Sequence, residues 1–584
     1  MRNLAILALA TAIWMDMGRA TASAWTTNDL KCVLAEFPAG TVHQHGMMPM
    51  RDGVRLSTHL FLPAGHATGR YPVVLLRSAY NFWPQRATYA NDVVNQKDRT
   101  NFTWLNTNGY VYVMQDLRGD GDSERQADFE PRLSDNEIAD TYDTVETLAT
   151  NRWCNGRIGM YGGSGHGVAA YMGWLSKAPH LVAVAPGNTA PNLFEHWSFE
   201  NGVRRWSYRW LQYRYPREPK MPEWPKPTLG DYYPRDAWKK RLSEGVKENA
   251  TVLIAGDNWH NYFRDSTFDT FGALGPENRV FLTMDPGTHQ GNTISNGLLF
   301  PRKPLVGGIS RPTLFQMLDG AAYTNQPLLK YFVMGDARRP DAKGNFYRLA
   351  DRWPPASTPE YFYLHEDGRL SRTAPTAENA RLSYSYHPTN PVPSVGGHFS
   401  FGWDAPSGPQ DQRVPQLTNR TDILRFTSEP FAEATEFTGP LHATLYVSTD
   451  VQDSTFMVKL IDIYPAEGTN AEYHAIMRES AIMARYADGF DHPAPLVSGR
   501  VYRLDIAIPS IALMIETNHR LAVHVTSSST PTFEVHPNTY ESVMSFSNSP
   551  TAHHVLHLDR QYPSHIQLPQ VSGGRTNEDV GTIK

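Results

Sequence analysis

The segment that most limits the fold is Ile158-Gly159-Met160-Tyr161-Gly162-Gly163-Ser164-Gly165-His166-Gly167, where a short apolar run passes through a glycine-rich turn. It leads into Val168-Ala169-Ala170-Tyr171-Met172-Gly173-Trp174, a stretch of helical character. A serine on so tight a strand-to-helix turn needs neighbours without side chains, because bulk two places before it or shortly after it collides with the adjoining strand and helix. Gly162 and Gly167 meet that need. The spacing is G-x-S-x-x-G, with His166 where a second glycine more often stands, and a glycine-rich turn alone is common. The surrounding pattern therefore has to agree with it.

That pattern is one of alternating strands and helices. Val73-Val74-Leu75-Leu76 and Tyr110-Val111-Tyr112-Val113-Met114 are short continuous β runs. Before Ile158, the residues Ile138, Tyr142, Val145 and Leu148 recur at helical spacing, and Asp135, Glu137 and Asp140 stand near the N-terminus, where negative charge suits the helix dipole. This is a β-α-β unit of a parallel sheet. The alternation resumes at Thr251-Val252-Leu253-Ile254 and Val280-Phe281-Leu282. Between the two halves, rings including Trp197, Trp206, Trp210, Trp224 and Trp238 are interleaved with prolines, which reads as an inserted, partly helical cap. From about Pro355 short strands alternate apolar and other residues, as in Leu441–Val447 and Arg520–Val525, which fits a β-sandwich of jelly-roll type.

A chain of 584 residues exceeds what one hydrophobic core usually serves. The expected division is a signal peptide over 1–24, an α/β-hydrolase core over 25–191 and 248–354, a cap over 192–247, and a jelly-roll β-sandwich over 355–584. Arg2, the apolar run Leu4 to Trp14 and Ala22-Ser23-Ala24 have the form of a cleaved export signal, the alternative being a mildly hydrophobic disordered terminus. Export to the periplasm or medium is the expectation. No later stretch reaches the roughly 18 to 20 apolar residues of a membrane helix. A net charge of -5 without a long basic run gives nothing to neutralise a nucleic-acid backbone, so a small organic substrate is the expected partner. Cys32 and Cys154 are the two cysteines; they can pair in an oxidising compartment, but Cys154 reads as a small buried side chain.

In α/β-hydrolases the triad follows in the order Ser, acid, His, on loops after successive strands. Here Ser164 is the nucleophile, and His289, in the loop Asp285-Pro286-Gly287-Thr288-His289 after a late strand, is the base. The strand Val252 to Ala255 ends with Asp257 as the nearest carboxylate, and Asp265 as the next. Two readings stay open, of which the first, with Asp257 as the triad acid, is the expectation. Either Asp257 orients His289, or Asp257 caps a turn and His289 is oriented by an amide or by water.

With those residues in place, the chain resembles the cocaine esterase and X-prolyl dipeptidyl-peptidase family, together with α-amino-acid ester hydrolases and glutaryl-cephalosporin acylases. The likeness runs through Met50–Leu56, Arg77–Tyr80, the D-x-R-G-x-G-x-S segment Asp116–Ser123, Trp153–Gly159, Trp353–Pro355, Asn390–Gly397 and Asp411–Arg413. It implies a hydrolase core, an inserted cap and a jelly-roll tail. It also implies Ser164 as nucleophile, His289 as base, and an oxyanion hole made by the Tyr80 hydroxyl and the Gly165 N–H. No cofactor and no metal are expected. Asp116 and Arg118 are expected to form a structural ion pair.

The chain departs from the family in two places. The family's acid follows as G-W-x-D, and here Trp259-His260-Asn261 falls on that pattern, so Asn261 stands at the acid's place, with Asp257 on a two-residue insertion before it. The family also usually has an aromatic residue directly after the serine, where this chain has Gly165. Trp197 and Trp259 are the candidate substrate-contacting rings. Asn261-Tyr262-Phe263 lacks the carboxylates that α-amino-acid ester hydrolases use to pair an ammonium, although Glu195 or Glu200 can serve an X-prolyl peptidase. The expected function is hydrolysis of an ester or amide through an acyl-serine. Acyl transfer on the same scaffold and a ligand-binding pseudoenzyme with a degraded triad are the alternatives.

Overall fold

The computed structural model describes residues 40–78, 104–125, 135–191, 198–205, 242–243, 251–274, 278–289, 297–301, 313–323, 328–398, 407–541 and 548–571. The expected signal peptide, Cys32, Tyr80 and most of the expected cap, Trp197 and Glu195 included, lie outside the described residues.

An antiparallel hairpin, β1 (Val42–Pro49) and β2 (Arg55–Leu62), opens the first sheet. The apolar runs that follow become β3 (Tyr71–Ser78) and β4 (Val111–Asp116). Their sequences are continuously apolar because both faces are covered: Val73 and Leu75 enter one core cluster, Val74 and Leu76 another. Helix α1 (Asp135–Ala149) buries Val145 and Leu148 in the first of these clusters. Next come β5 (Cys154–Gly163), α2 (Gly165–Ser176) and β6 (Leu181–Gly187).

Of the expected cap, the described residues include a short hairpin, β7 (Phe199–Glu200) and β8 (Val203–Arg204), so this part is strand where a helix was allowed for. The core then continues through β9 (Val252–His260), α3 (Arg264–Ala273), β10 (Val280–Thr288), α4 (Leu314–Leu318), β11 (Leu328–Val333) and β12 (Phe346–Ala350). The strand order is β1-β2-β4-β3-β5-β6-β9-β10-β11-β12. Strands from β4 across to β11 run parallel, and the two flanks are antiparallel.

A second sheet of eleven strands spans Thr358 to Gln570 and forms the β-sandwich. Its longest strands, Thr435–Thr449 and Tyr502–Ile515, pair antiparallel with a register shift between Gly439 and Leu441, where Pro440 has no N–H for the ladder. The two sheets are stitched by backbone. Met334, just past β11, donates to Ala512 O at 3.0 Å and accepts from Met514 N at 2.7 Å. Side chains cross the same seam: His519 stands 2.8 Å from Asp462 and 3.3 Å from Asp336, all three buried.

Arg118 does not pair with Asp116 as expected. Its guanidinium reaches Asp140 and Asp52, each at 2.6 Å, because α1 and the β1–β2 turn bring those carboxylates to it. Cys154 is a buried free thiol. Among the described residues no helix is long and apolar enough to cross a membrane.

Candidate active site

Ser164 sits between β5 and α2 with φ 56° and ψ -126°, a region that L-residues rarely occupy. Such a backbone costs about 1–3 kcal/mol and persists only where its surroundings hold it. Here the Ser164 N–H donates to Gly187 O at 2.9 Å, and its carbonyl accepts from Thr189 Oγ1 at 2.6 Å and from Gly167 N at 3.0 Å. The glycines leave the room required. A Cβ on Gly162 would lie 2.4 Å from the His166 backbone, and one on Gly167 would lie 2.5 Å from Thr189 Cγ2. Gly165 is the first helical residue, so its N–H has no acceptor within α2 itself.

His166 faces the same turn. Its Nε2 lies 3.2 Å from the Oγ of Ser78, which ends β3 directly before Ala79 and Tyr80. Burial pushes the His166 imidazole down to about 3, so it stays neutral across ordinary pH. His166 thus has a partner in β3 that the sequence did not mark.

The ends of β6, β9 and β10 are tied side to side. Asn188 N–H donates to Gly256 O at 2.8 Å, Asn258 Nδ2 donates to Asn188 Oδ1 at 2.7 Å, and Asn258 Oδ1 accepts from Gly287 N at 3.1 Å. Ser164 and His289 thus leave the same, C-terminal edge of the parallel sheet, where open α/β sheets place their sites. Neither Asn188 nor Asn258 was a sequence candidate, and nothing local distinguishes either from an ordinary turn residue.

His289 follows β10 and packs, among the described residues, on Tyr262 at 6.4 Å between centroids and near parallel, and on Phe263 at 5.6 Å and edge-on. Burial lowers its imidazole to about 4, so at neutral pH it carries no charge and can accept a proton.

The expected direct contact from Asp257 to His289 is not what the structure shows. The Asp257 carboxylate takes hydrogen bonds from Asn258 N at 2.7 Å, from Asn261 Nδ2 at 2.6 Å and from Thr267 Oγ1 at 3.4 Å. Burial pushes its acid up to about 7 against those bonds. Asp265, the other nearby carboxylate, accepts from Ser510 N at 3.0 Å, on the sandwich. Trp259 needs a correction too. It is wholly buried, donates from Nε1 to Phe332 O at 2.6 Å and packs on Phe268 and Trp353, so it is a core residue and not a substrate contact.

Glu200 is also unsuited to receive a substrate ammonium, because its carboxylate already pairs with Arg205 and lies 3.5 Å from His398. Burial opposes its charge, and the Arg205 guanidinium together with the His398 imidazole outweighs burial and holds it low. A cavity of about 580 Å³ opens beside this pair, walled by Tyr262, Phe268, Trp353, Asp265, Asp505 and Phe490 among others. Ser164 and His289 are not among its walls; Tyr262, which packs on His289, is.

The strained serine turn on a parallel sheet with an appended sandwich defines an α/β-hydrolase of the two-sheet kind. Residues 52–291 match the X-Pro dipeptidyl-peptidase (S15) family, and residues 321–567 match the X-Pro dipeptidyl-peptidase C-terminal non-catalytic domain. Cocaine esterase of Rhodococcus sp. (strain MB1 Bresler) is 27% identical over 91% of this chain and 98% of its own. Among solved structures, an aminopeptidase from a marine sediment Thaumarchaeota archaeon superposes with a TM-score of 0.73 at 24% identity, over 95% of this chain and 99% of the other. An α-amino acid ester hydrolase does so with a TM-score of 0.72 at 22% identity, with the same coverages. The chain belongs to this family of hydrolases.

Proposed function

We propose that the protein is a serine hydrolase that opens an ester or amide bond through an acyl-Ser164 intermediate. The observation that carries this reading is the Ser164 backbone at φ 56°, ψ -126°, a strain that a structural serine on a turn has no reason to hold. In this reading Ser164 Oγ attacks the carbonyl carbon as its proton passes to Nε2 of His289. The carbonyl electron pair moves onto oxygen, where the Gly165 N–H and the Tyr80 hydroxyl receive it. Collapse expels the alcohol or amine with the proton from His289, and water repeats the sequence to release the acid. The neutral His289 at ordinary pH supports its role as base.

Labelling by a fluorophosphonate probe tests the reading: wild type should label and Ser164→Ala should not. A wild-type protein that stays unlabelled would favour a ligand-binding protein on a hydrolase scaffold. The N-terminal segment supports export, and N-terminal sequencing of protein from the extracytoplasmic fraction should begin just after Ala24.

A further inference from the structure

Asp257 and Asn261 form one unit. Asn261 Nδ2 donates to Asp257 Oδ1 at 2.6 Å, both residues are buried, and Asp257 is held in turn by the N–H of Asn258. Asp257 Oδ1 already accepts from the Asn258 N–H and offers Asn261 only an acceptor, so it binds the nitrogen end of the amide and turns the oxygen end away. That oxygen, Asn261 Oδ1, is buried and has no hydrogen-bond partner among the described residues. A buried acceptor left unmet is destabilising, which makes the position one that a donor should fill.

The neighbour placed to fill it is His289. Strands β9 and β10 pair in parallel, with a register shift between Asp285 and Thr288, and end opposite each other at His260 and Thr288, so Asn261 and His289 are the first residues past adjacent strand ends. The two rings that follow Asn261, those of Tyr262 and Phe263, both pack on the His289 imidazole.

We propose that Asp257 and Asn261 together replace the single acid of the triad, with Asn261 Oδ1 accepting the Nδ1–H of His289 and Asp257 fixing the amide that way round. The inference rests on Ser164 and His289 acting as proposed above. An unrestrained asparagine at this place can turn its NH₂ toward the imidazole, which favours the wrong tautomer and costs about 10⁴ in rate. Asp257 forbids that turn, since it would set amide oxygen against carboxylate oxygen. Nδ1 then keeps its hydrogen, and the Nε2 lone pair faces Ser164. When Ser164 Oγ bonds to carbon, its O–H breaks and the proton goes to Nε2, while Nδ1–H stays on the imidazolium. Asp257 and Asn261 are positioning residues, and in the free enzyme the Asn261–His289 contact is still open, as such bonds often are before substrate binds.

The test uses the full chain and the rate at which a fluorophosphonate labels Ser164, with turnover of p-nitrophenyl acetate over pH as a second readout. Asp257→Ala should slow both by about 10² to 10³. Asp257→Asn should stay within about tenfold of wild type, because its amide oxygen can still accept from Asn261. Asn261→Asp should shift the acidic limb of kcat/KM to higher pH, since a carboxylate beside the imidazole favours its charged form. If Asp257→Ala is silent, Asp257 does not position Asn261. If Asp257→Asn is as slow as a direct triad-acid loss, Asp257 itself serves His289. An unshifted limb in Asn261→Asp removes Asn261 from His289, and this result stands even if Asp257→Ala fails to fold. Absence of labelling in wild type would instead overturn the underlying serine-hydrolase reading.

Discussion

Ser78 Oγ and His166 Nε2 lie 3.2 Å apart, joining the last residue of β3 to the first turn of the helix behind Ser164. The pair sets where the chain leaves β3 toward Tyr80 relative to the nucleophile. His166→Ala should therefore lower kcat on the order of tenfold or more with little change in KM, as small misplacements do. His166→Gln, which can still bond Ser78, should recover most of the rate. Steady-state kinetics decide; a loss confined to KM would place His166 in substrate binding instead.

The elbow glycines make different demands. On Gly162 a methyl meets the backbone of His166 at 2.4 Å, whereas on Gly167 it meets the Thr189 Cγ2 at 2.5 Å. Gly162→Ala should abolish fluorophosphonate labelling. Gly167→Ala should cost about 1–3 kcal/mol in thermal unfolding, as overpacking does. Adding Thr189→Ser to Gly167→Ala removes the methyl and keeps the hydroxyl that bonds Ser164 O, so stability should return in part. No recovery would show that the obstruction is elsewhere.

Burial holds His289 at about 4, and the base must be neutral to act. Activity should then persist as pH falls through 6.5, the ordinary value for histidine, and drop only toward pH 4. A profile of kcat/KM reports the free enzyme and checks this directly. A limb near 6.5 would mean that the imidazole is not desolvated before substrate binds.

His519 gives the opposite dependence. Burial opposes its charge, but Asp462 and Asp336 outweigh burial and raise it from 6.5 to about 10. Burial pushes Asp462 up and His519 holds Asp336 low, and of the two carboxylates Asp462 does most to raise His519. A raised folded-state value contributes stability that is whole below 6.5 and fades as pH rises through about 10. His519→Gln should cost about 3–5 kcal/mol at pH 6, by denaturant unfolding, and the gap should close toward pH 10. A gap independent of pH would show that His519 is neutral in the fold.

What the sequence made legible follows from how local each cause is. Val73 to Leu76 reads as a parallel strand because burial on both faces demands an unbroken apolar run, and Gly162 and Gly167 read as an elbow because the steric need lies within three residues of Ser164. The partners of Arg118 were misjudged because Asp52 and Asp140 reach it only after the sheet has formed. Trp259 was misplaced because a tryptophan at a strand end has the same spacing whether it faces a cavity or, as here, the core. Asn258 and Asn188 carry no signature at all; strand pairing alone makes them a tether. The third triad member was ambiguous for the same reason, since no spacing reveals that Asp257 binds Asn261.

The backbone exchange of Met334 with Ala512 and Met514 bears on how such a chain can be divided. The catalytic sheet does not end at β12 and then meet a separate module; a residue on its own penultimate strand's exit completes its hydrogen bonding on the sandwich. Cutting the chain between the two sheets would strip Met334 of both partners and open a continuous apolar cluster that includes Phe332, Ile508 and Leu513. The two regions should therefore melt in a single transition, and the sandwich is less a passenger than the other half of one foldable object. Transplanting it onto a different hydrolase would require carrying this seam across intact.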